Sequence, residues 1–546
     1  MNSKKTISRR AFLGYLGTSA ATVVTASSGL QLFMGQGTAS AAEPFFGKQT
    51  ALLSTLAAID KLPSNDKLNV SSSFTYDVIA AYGDPINTKG DVLGYENAAT
   101  LYLPIEGSSV HGLLVAAHES SHSLLEQGEQ LNGSYSVPQI RSLLADQGLS
   151  VLEVYRGTDG RWKIETNSAY ARRVTGLDVI ELTGPAKGAK SVRNATRVQG
   201  TIANRSLTQT LWGTALSGES SYDLTSRYAG FDQTHYGWMA EVDPFDAGFK
   251  PRKHTALGRF RHAGAAMTLS ENNRLVVYLG DSQGGCLFKF VSQGTFNAAK
   301  GRDNSDLLTE GTLYAAQLAR GEWIPLNVKA VRKELERPDF LMPRSIGYSQ
   351  DQLLALFQED ADIYVNATDA ALILGATPLD RQGDLVIGPD DKALYVSFVN
   401  NDAQGNIHGK VARIEELTGS DGGRFELDIL ITGGRQSGLS SPDGLTFDGS
   451  GQMWVATDIT VDKLHAGTYQ SFGNNGLYVI AAGNNGSSIS ITQFASAPKD
   501  AAFSSPAFVP NGQTMFVSVN HPGAGSLWPN KLGNEVPRSA VVAIHG

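Results

Sequence analysis

The sequence has almost no cysteine: Cys286 is the single one among 546 residues. One cysteine cannot form a disulfide bond within the chain, so stability has to come from the core and from any bound ions. Cys286 lies in the apolar segment 284–288. This setting favours a buried structural thiol over a reactive one.

Long apolar runs and basic clusters are missing as well. Beyond the N-terminal region, no segment reaches the roughly 18 consecutive apolar residues of a transmembrane helix. The formal net charge is -8, and Lys and Arg form no cluster after the first ten residues. These absences argue against nucleic-acid binding and against a membrane-spanning mature chain.

Residues 1–41 have the features of a twin-arginine export signal. A basic start that contains Arg9-Arg10 precedes a weakly apolar stretch of small residues, and Ala39-Ser40-Ala41 offers a cleavage site. An uncleaved membrane anchor is the alternative, which the polar character of the stretch disfavours. We expect a periplasmic or secreted protein whose mature chain, residues 42–546, is one domain and a monomer.

Glycine is abundant, with 59 residues, and from about residue 75 short apolar runs alternate with turn residues. Six of these runs lead into a polar side chain: 113–118 into Glu119, 211–216 into Glu219, 276–279 into Asp281, 394–399 into Asn400, 453–457 into Asp458 and 515–519 into His521. Equivalent strand ends meet at one place when each is the innermost strand of a propeller blade. Ordinary polar strand ends beside turns are the alternative explanation.

We therefore expect an all-β fold, a β-propeller of about six blades with helical insertions. Helix-like apolar spacing or capping residues predict helices at 43–65, 137–147, 334–340 and 349–360, the last with Ser349 as its N-cap. The letters HExxH occur at 118–122, but that zinc motif requires a helix, and the preceding residues have a strand pattern.

Several segments resemble, in the same order along the chain, motifs of the PhoX-type alkaline phosphatase family. They are LWGTALSGE at 211–219, YGWMAEVDP at 236–244, HTALGRFRHA at 254–263, GATPLDRQG at 375–383 and SPDGLTFD at 441–448. The resemblance implies a propeller of about six blades. It also implies phosphoester hydrolysis with a mixed iron and calcium cluster in the central funnel.

The sequence departs from the family motifs at several acidic or thiol positions. Gly218 stands where the motif has Cys, Ala263 and Gly383 where it has Glu, and Ser282 where it has Asp. Iron is held by such thiolate and carboxylate ligands. We therefore expect calcium rather than the di-iron cluster.

The remaining acids that could bind calcium are Glu219, Glu241, Asp281, Asp443 and Asp458, with amide oxygens from Asn400, Asn401, Asn474 and Asn475. Arg259 and Arg381 are the candidate catalytic residues, because guanidinium groups bind phosphate in a bidentate way. For each acid, a turn cap or a surface position is the alternative role.

Two functions stay open from the sequence. The first is a calcium-dependent hydrolase of small phosphate esters. The second is a catalytically inactive propeller that binds a phosphate ester or another anionic ligand.

Overall fold

A computed structural model of the chain describes residues 65–121, 135–283, 285–389, 392–402, 405–482, 489–529 and 537–546. The predicted export signal, residues 1–41, lies outside these residues, as do His122 and, except for residue 65, the helix predicted at 43–65. No helix in the described ranges is long and apolar enough to cross a membrane.

Strands are the main regular secondary structure of the described residues. In chain order they are β1 (Asn69–Val70), β2 (Thr75–Ala81), β3 (Asn97–Pro104), β4 (His111–His118), β5 (Gly148–Arg156), β6 (Trp162–Ile164), β7 (Arg172–Val174), β8 (Val179–Thr183), β9 (Arg197–Gln199), β10 (Asn204–Gln209), β11 (Ala215–Glu219), β12 (Met239–Val242), β13 (Arg252–His254), β14 (His262–Leu269), β15 (Arg274–Asp281), β16 (Leu287–Thr295), β17 (Gly311–Gln317), β18 (Glu322–Pro325), β19 (Gln382–Ile387), β20 (Leu394–Phe398), β21 (Lys410–Glu416), β22 (Phe425–Thr432), β23 (Pro442–Phe447), β24 (Met453–Thr457), β25 (Gly476–Ala482), β26 (Ile489–Ser496), β27 (Ala502–Phe503), β28 (Ala507–Phe508), β29 (Thr514–Asn520) and β30 (Ala540–His545). The α-helices of the described residues are α1 (Val137–Asp146), α2 (Tyr222–Ala229), α3 (Val328–Leu335), α4 (Gln350–Leu356), α5 (Asp360–Val365) and α6 (Ala367–Ile373).

These strands form six sheets, called blades 1 to 6 in chain order. Blade 1 contains β3–β7, blade 2 β8–β13, blade 3 β14–β18, blade 4 β19–β22, blade 5 β23–β26 with β1, and blade 6 β27–β30 with β2. Neighbouring strands are antiparallel, with one parallel pair between β8 and β13. The six-bladed β-propeller with helical insertions that the sequence predicts is thus confirmed.

The blades are arranged in a closed ring. The innermost strands β3, β10, β14, β19 and β23 of blades 1 to 5 contact one another in series. Blade 6 closes the ring, because its β27 contacts β24 of blade 5 and its β29 contacts β3 of blade 1. The N-terminal strand β2 pairs with the C-terminal strand β30, and β1 pairs with β26. The two ends of the described chain therefore hold the ring together through shared sheets.

The six apolar runs with polar ends are β4, β11, β15, β20, β24 and β29, one in each blade. Within its sheet, each of these strands lies next to the innermost strand, whereas the sequence pattern predicted that each would itself be the innermost strand. The difference follows from antiparallel pairing, because the second strand ends where the innermost strand begins. Both strands therefore contribute residues to the same end of the ring.

Some of the predicted helices agree with the structure and others differ from it. Helix α1 agrees with the prediction for 137–147, and Ser349 caps α4 by accepting a hydrogen bond from the Gln352 amide. The helix predicted at 334–340 instead spans Val328–Leu335, capped by Asn327. Helices α2, α5 and α6 were not predicted. Helices α3 to α6 pack against blade 3 in one apolar cluster that also contains Cys286.

Cys286 is buried, as the sequence predicts. Burial and the nearby charge of Asp281 raise the pKa of its thiol well above the usual range. Cys286 is therefore a packing residue of blade 3.

His262, the first residue of β14, is fully buried. Its ring lies 4.0 Å from that of Phe260, between centroids, and its Nε2–H donates to the Gly258 carbonyl at 3.2 Å. Burial lowers the pKa of His262 to about 3, so the imidazole is neutral in the folded chain at neutral pH.

This buried imidazole makes the fold sensitive to acid. The unfolded chain binds the His262 proton at a pKa of about 6.5, and the folded chain binds it only near pH 3. The free energy of unfolding should therefore fall as the pH decreases from about 6.5 towards 3, by up to about 1.4 kcal/mol per pH unit for this group. We expect His262→Gln to reduce this slope in chemical denaturation between about pH 7 and pH 4. The half-buried His235, exchanged to Gln, is the control, and an equal slope in both variants would contradict the assignment.

Candidate functional site

Every innermost strand carries one extra residue where it begins. In blade 2, Asn204 faces Glu219 and Ser206 faces Gly218, so Arg205 has no counterpart on β11. Such a β-bulge bends the strand and changes the direction of its side chains.

The same irregularity recurs in the other blades. Ala98 is the extra residue of blade 1, and residues 263–264, 383–384 and 443–444 each face a single residue of the second strand. In blade 6, the chain advances four residues from Phe503 to Ala507 while β29 advances three, from Val519 to Phe516. The bulges therefore form a ring around one end of the propeller axis.

The bulge residues line a cavity with two connected chambers. The inner chamber, of about 120 Å³, is bounded by bulge residues of all six blades: Ala98, Arg205, Ala263, Gly383, Asp384, Asp443, Gly444, Ser504 and Ser505. Glu96, Glu119, Asp458 and His521 complete its charged wall. The outer chamber, of about 420 Å³, shares Glu96, Glu119 and Arg205 and adds Arg381, Ser220, Ser221, Leu224, Thr225, Ser282 and Gln283.

Adjacent bulges approach each other so closely that glycine is required. A Cβ at Gly383 would lie 2.6 Å from the Asp443 carbonyl oxygen, and one at Gly444 would lie 2.7 Å from Ser505 Oγ. Both distances are far inside van der Waals contact. The packing of one blade against the next therefore excludes side chains at these two positions.

Arg205 lies between two carboxylates of different blades. Its Nη2 donates to both oxygens of Asp443, at 2.9 and 3.0 Å, and its Nη1 donates to Glu119 Oε2 at 3.2 Å. Burial by itself would lower the pKa of Arg205, but the charges of Asp443, Glu119 and Asp458 raise it above the usual range. The guanidinium is thus a fixed positive charge in the cavity.

A second charged group joins blades 4, 5 and 6. Arg381 Nη2 donates to Asp458 Oδ2 at 2.6 Å, and His521 Nε2 lies 3.6 Å from Asp458 Oδ1. Burial would raise the pKa of Asp458, but His521 and Arg381 hold it well below the usual range. In turn, Asp458 and Glu96 raise the pKa of His521 to about 9 against the effect of burial, so the ring is protonated at neutral pH.

Glu96 differs from the other acids of the cavity because no side chain of the described residues donates a hydrogen bond to its carboxylate. Burial and the neighbouring charge of Glu119 raise the pKa of Glu96 to about 7. Its backbone has a φ of 49°, in the left-handed region, and that of His521 has a φ of 34°. Such strained conformations in non-glycine residues are concentrated at functional sites.

Three of the sequence-predicted site residues lie together in this cavity. Asp443 and Asp458 line the inner chamber, and Arg381 lines the outer one. Asp281 does not line either chamber, although the next two residues line the outer one; it accepts hydrogen bonds from the Gln283 amide and, at 3.3 Å, the Thr368 hydroxyl. Burial raises the pKa of Asp281 to about 6.

Glu219 and Glu241 are fully buried inside blade 2 and line neither chamber. Glu219 pairs with the buried Lys253 at 2.8 Å and accepts hydrogen bonds from the amides of residues 202, 237 and 238. Glu241 pairs with His254 at 2.9 Å and accepts from Trp212 Nε1–H at 2.7 Å.

Arg259 is also placed outside both chambers. Its Nε–H donates to the Val365 carbonyl and its Nη1 to Tyr222 Oη, both at 2.9 Å, which joins helices α5 and α2. The candidate amides Asn400, Asn401, Asn474 and Asn475 do not line either chamber. Asn475 instead bonds the backbone of Ile459 and Ala501.

The residues present do not fit an iron cluster. A Cβ at Gly218, where the sequence resemblance predicts a Cys, would lie 2.5 Å from His262 Cβ, and Gly383 has no room for a side chain. Within the described ranges, no group of three or more His, Cys, Asp or Glu side chains is arranged to hold a metal ion. Three of the cavity carboxylates, Glu119, Asp443 and Asp458, already contact guanidinium groups.

Sequence reasoning missed Arg205, Asp384 and the role of Glu96. The sequence-based prediction rests on the ends of apolar runs, whereas these residues lie at the beginnings of the innermost strands. The usable signal was weak: Glu96 directly precedes β3, and Arg205 and Asp384 are the second and third residues of β10 and β19, respectively. These three innermost strands each pair with one of the six polar-ended strands.

Comparison with known proteins agrees with this architecture. A sequence model of the family Alkaline phosphatase PhoX matches residues 55–523. The solved structure of Pseudomonas fluorescens PhoX in complex with vanadate, a transition state analogue, is 26% identical with a TM-score of 0.76, and the alignment covers 89% of this chain and 97% of that one. Trypanosoma rangeli sialidase in complex with the inhibitor DANA is 9% identical with a TM-score of 0.31, covering 87% and 59%. None of the curated proteins matches this chain. Because the family match spans most of its length, the chain belongs to the alkaline phosphatase PhoX family.

Proposed function

We propose that this protein hydrolyses small phosphate esters and binds the phosphoryl group through Arg205, Arg381 and His521. The observation that carries the proposal is the convergence of these three cations on one cavity at the propeller axis. Family membership supports the reaction class, and the related protein from Pseudomonas fluorescens holds vanadate, a transition state analogue.

The two arginines have hydrogen-bond donors to spare. A guanidinium carries five N–H donors, and Arg381 uses one of its terminal nitrogens for Asp458. The side chains of Arg205 and Arg381 are 18% and 27% exposed, so both are within reach of a ligand. Charge-assisted bonds from fixed guanidinium groups stabilise the negative charge of a phosphoryl group in the transition state.

Glu96 is suited to accept the proton of the attacking water, because its carboxylate faces both chambers without a hydrogen-bond donor among the described side chains. As the water oxygen bonds to phosphorus, the bond from phosphorus to the ester oxygen breaks. The protonated His521 gives its proton to the leaving oxygen, so that the products are an alcohol and inorganic phosphate.

Exchange of Arg381 tests this assignment. We expect Arg381→Ala to lower kcat/KM for a small phosphate monoester by about 100-fold, since a preorganised charge-assisted donor is typically worth this much. Steady-state kinetics of the purified mature chain measure this change in kcat/KM.

The matched control is Arg172→Ala, which removes a partly buried arginine bonded to backbone carbonyls outside the cavity. Equal kcat/KM values for these two variants would refute the role of Arg381, and Arg259→Ala in the same series tests the sequence-based assignment of Arg259.

Calcium dependence, which the sequence predicts, is open to a direct test. Calcium would have to compete with guanidinium groups for Glu119, Asp443 and Asp458. We therefore expect turnover to stay within about twofold after dialysis against a chelator, because the cations that bind the substrate are side chains. A loss of activity that calcium chloride restores would instead support the calcium-dependent hydrolase.

A second candidate function is anion binding without catalysis. It is favoured by the ion pairs of Arg205, which leave fewer donors for a transition state. In that case inorganic phosphate should raise the melting temperature of the protein, as a ligand of the native state does, while no ester is hydrolysed. Turnover of any phosphate mono-, di- or triester that Arg381→Ala reduces would exclude this alternative.

We further propose that the protein is exported by the twin-arginine pathway and acts as a soluble monomer on small anionic ligands outside the cytoplasm. The basic start and the small residues at 39–41 support this route. N-terminal sequencing of the exported form should find a start at about residue 42. A start at residue 1 or 2 would contradict cleavage.

A further inference from the structure

We infer that the outer chamber binds the alcohol part of the phosphate ester and selects hydroxylated alcohols, such as glycerol, over apolar or aromatic ones. The inference rests on the proposed function, because it assigns a ligand to the second half of the same cavity. There, Arg205, Arg381 and His521 hold the phosphoryl group, and the outer chamber is the connected space that is left for the rest of the molecule.

The wall of the outer chamber is polar. Four of its residues are charged, and Leu224 is the one apolar residue among the described residues that line it. The others carry a hydroxyl or a carboxamide group: Ser120, Ser220, Ser221, Thr225, Ser282 and Gln283. Sites for small molecules are usually lined mainly by apolar and aromatic side chains. An apolar or aromatic alcohol would therefore find little to pack against in this chamber.

The size of the outer chamber suits a small alcohol. Its volume of about 420 Å³ lies within the range of about 300–1,000 Å³ that is usual for small-molecule sites. The inner chamber, of about 120 Å³, is much smaller. A phosphate ester bound at the arginines would therefore extend its alcohol part into the outer chamber.

Three polar groups of this wall have hydrogen-bonding capacity that the described residues do not use. The hydroxyl oxygens of Ser220 and Ser282 lie 2.9 Å apart and share one hydrogen bond, so one hydroxyl hydrogen of the pair has no acceptor among the described residues. Both residues are almost fully buried, at 1% and 3% exposure. The carboxamide of Gln283 is exposed and has no partner in the same part of the chain. Hydroxyl groups of a ligand are suited to bond these groups, because a hydroxyl both donates and accepts.

Contacts outside the chamber hold one side of this wall in place. Helix α2 contributes Leu224 and Thr225 to the wall. Thr225 Oγ1 accepts a hydrogen bond from the Gln147 carboxamide at 2.9 Å, and Asp223 pairs with Arg261 at 2.7 Å. An apolar alcohol would displace water from such fixed polar groups without replacing its hydrogen bonds, and this cost is the source of the selectivity.

The test compares two esters of the same shape. One is glycerol phosphate esterified at a terminal carbon, and the other is 2-methylbutyl phosphate, in which methyl groups replace both hydroxyl groups of the glycerol. We expect kcat/KM of the full mature chain to be at least about tenfold higher for glycerol phosphate, because the isostere leaves polar groups of the site without partners. Steady-state kinetics give the ratio of the two kcat/KM values.

Variants separate recognition from the different reactivities of the two esters, because those reactivities cancel when the ratio is compared between proteins. We expect Ser282→Ala and Gln283→Leu each to lower the ratio by about fivefold, since each removes a hydrogen-bonding group from the wall. Gln283 is exposed, so its exchange does not disturb the core. The matched control is Gln293→Leu, which changes another exposed glutamine of blade 3 that lines neither chamber, and its ratio should equal that of the unchanged protein.

The inference and the proposed function fail in different ways. Ratios for Ser282→Ala and Gln283→Leu that both equal the ratio for Gln293→Leu would overturn the inference and leave hydrolysis intact. If neither ester is hydrolysed, the proposed function fails, and titration calorimetry with the same esters and variants tests the inference alone. Glycerol phosphate should then bind about tenfold more tightly than 2-methylbutyl phosphate, and equal Kd values would overturn the inference.

Discussion

The extra residue at the start of each innermost strand is the constraint on which the rest of the site depends. Six strands that converge on one axis would place alternate side chains towards it in an ordinary ladder. One additional residue breaks the alternation at a single level, so that a ring of residues, Arg205 and Asp443 among them, faces the cavity. Regular pairing resumes immediately beyond the bulges, and the apolar contacts between blades continue undisturbed.

The same ring limits what the cavity can contain. The bulges of neighbouring blades come so close that Gly383 and Gly444 have no space for a Cβ. Gly218 is equally confined between β10 and β14. Gly218 and Gly383, two of the positions where the sequence resemblance leads one to expect a thiol or an acid, are therefore packed tightly by their neighbours, and the site relies on other residues for its charge.

Those charges form a connected set rather than isolated groups. Arg205 neutralises Glu119 and Asp443, while Arg381 and His521 neutralise Asp458. Taking a charge out of water is costly unless a partner of opposite sign is fixed nearby, so each of these residues depends on the others. Glu96 is the exception, and its raised pKa of about 7 is the physical consequence. An anionic ligand would enter a cavity that already contains both signs of charge.

The sequence by itself determined that the fold has a ring of blades and which end of each apolar run carries polar side chains. Six apolar runs with polar ends mark one strand in each of six blades, because alternation and turn residues are local properties, and Ser349 identifies its helix by a local capping bond. Order of motifs along the chain was enough to indicate the family. The cavity was decided by the tertiary structure. Glu219 and Glu241 have the right chemistry, yet the buried Lys253 and His254 are their partners inside blade 2, and Asp281 binds the Gln283 amide. Arg205 enters the cavity because its strand gains one residue relative to β11, and pairing between strands is a relation that no single stretch of sequence contains.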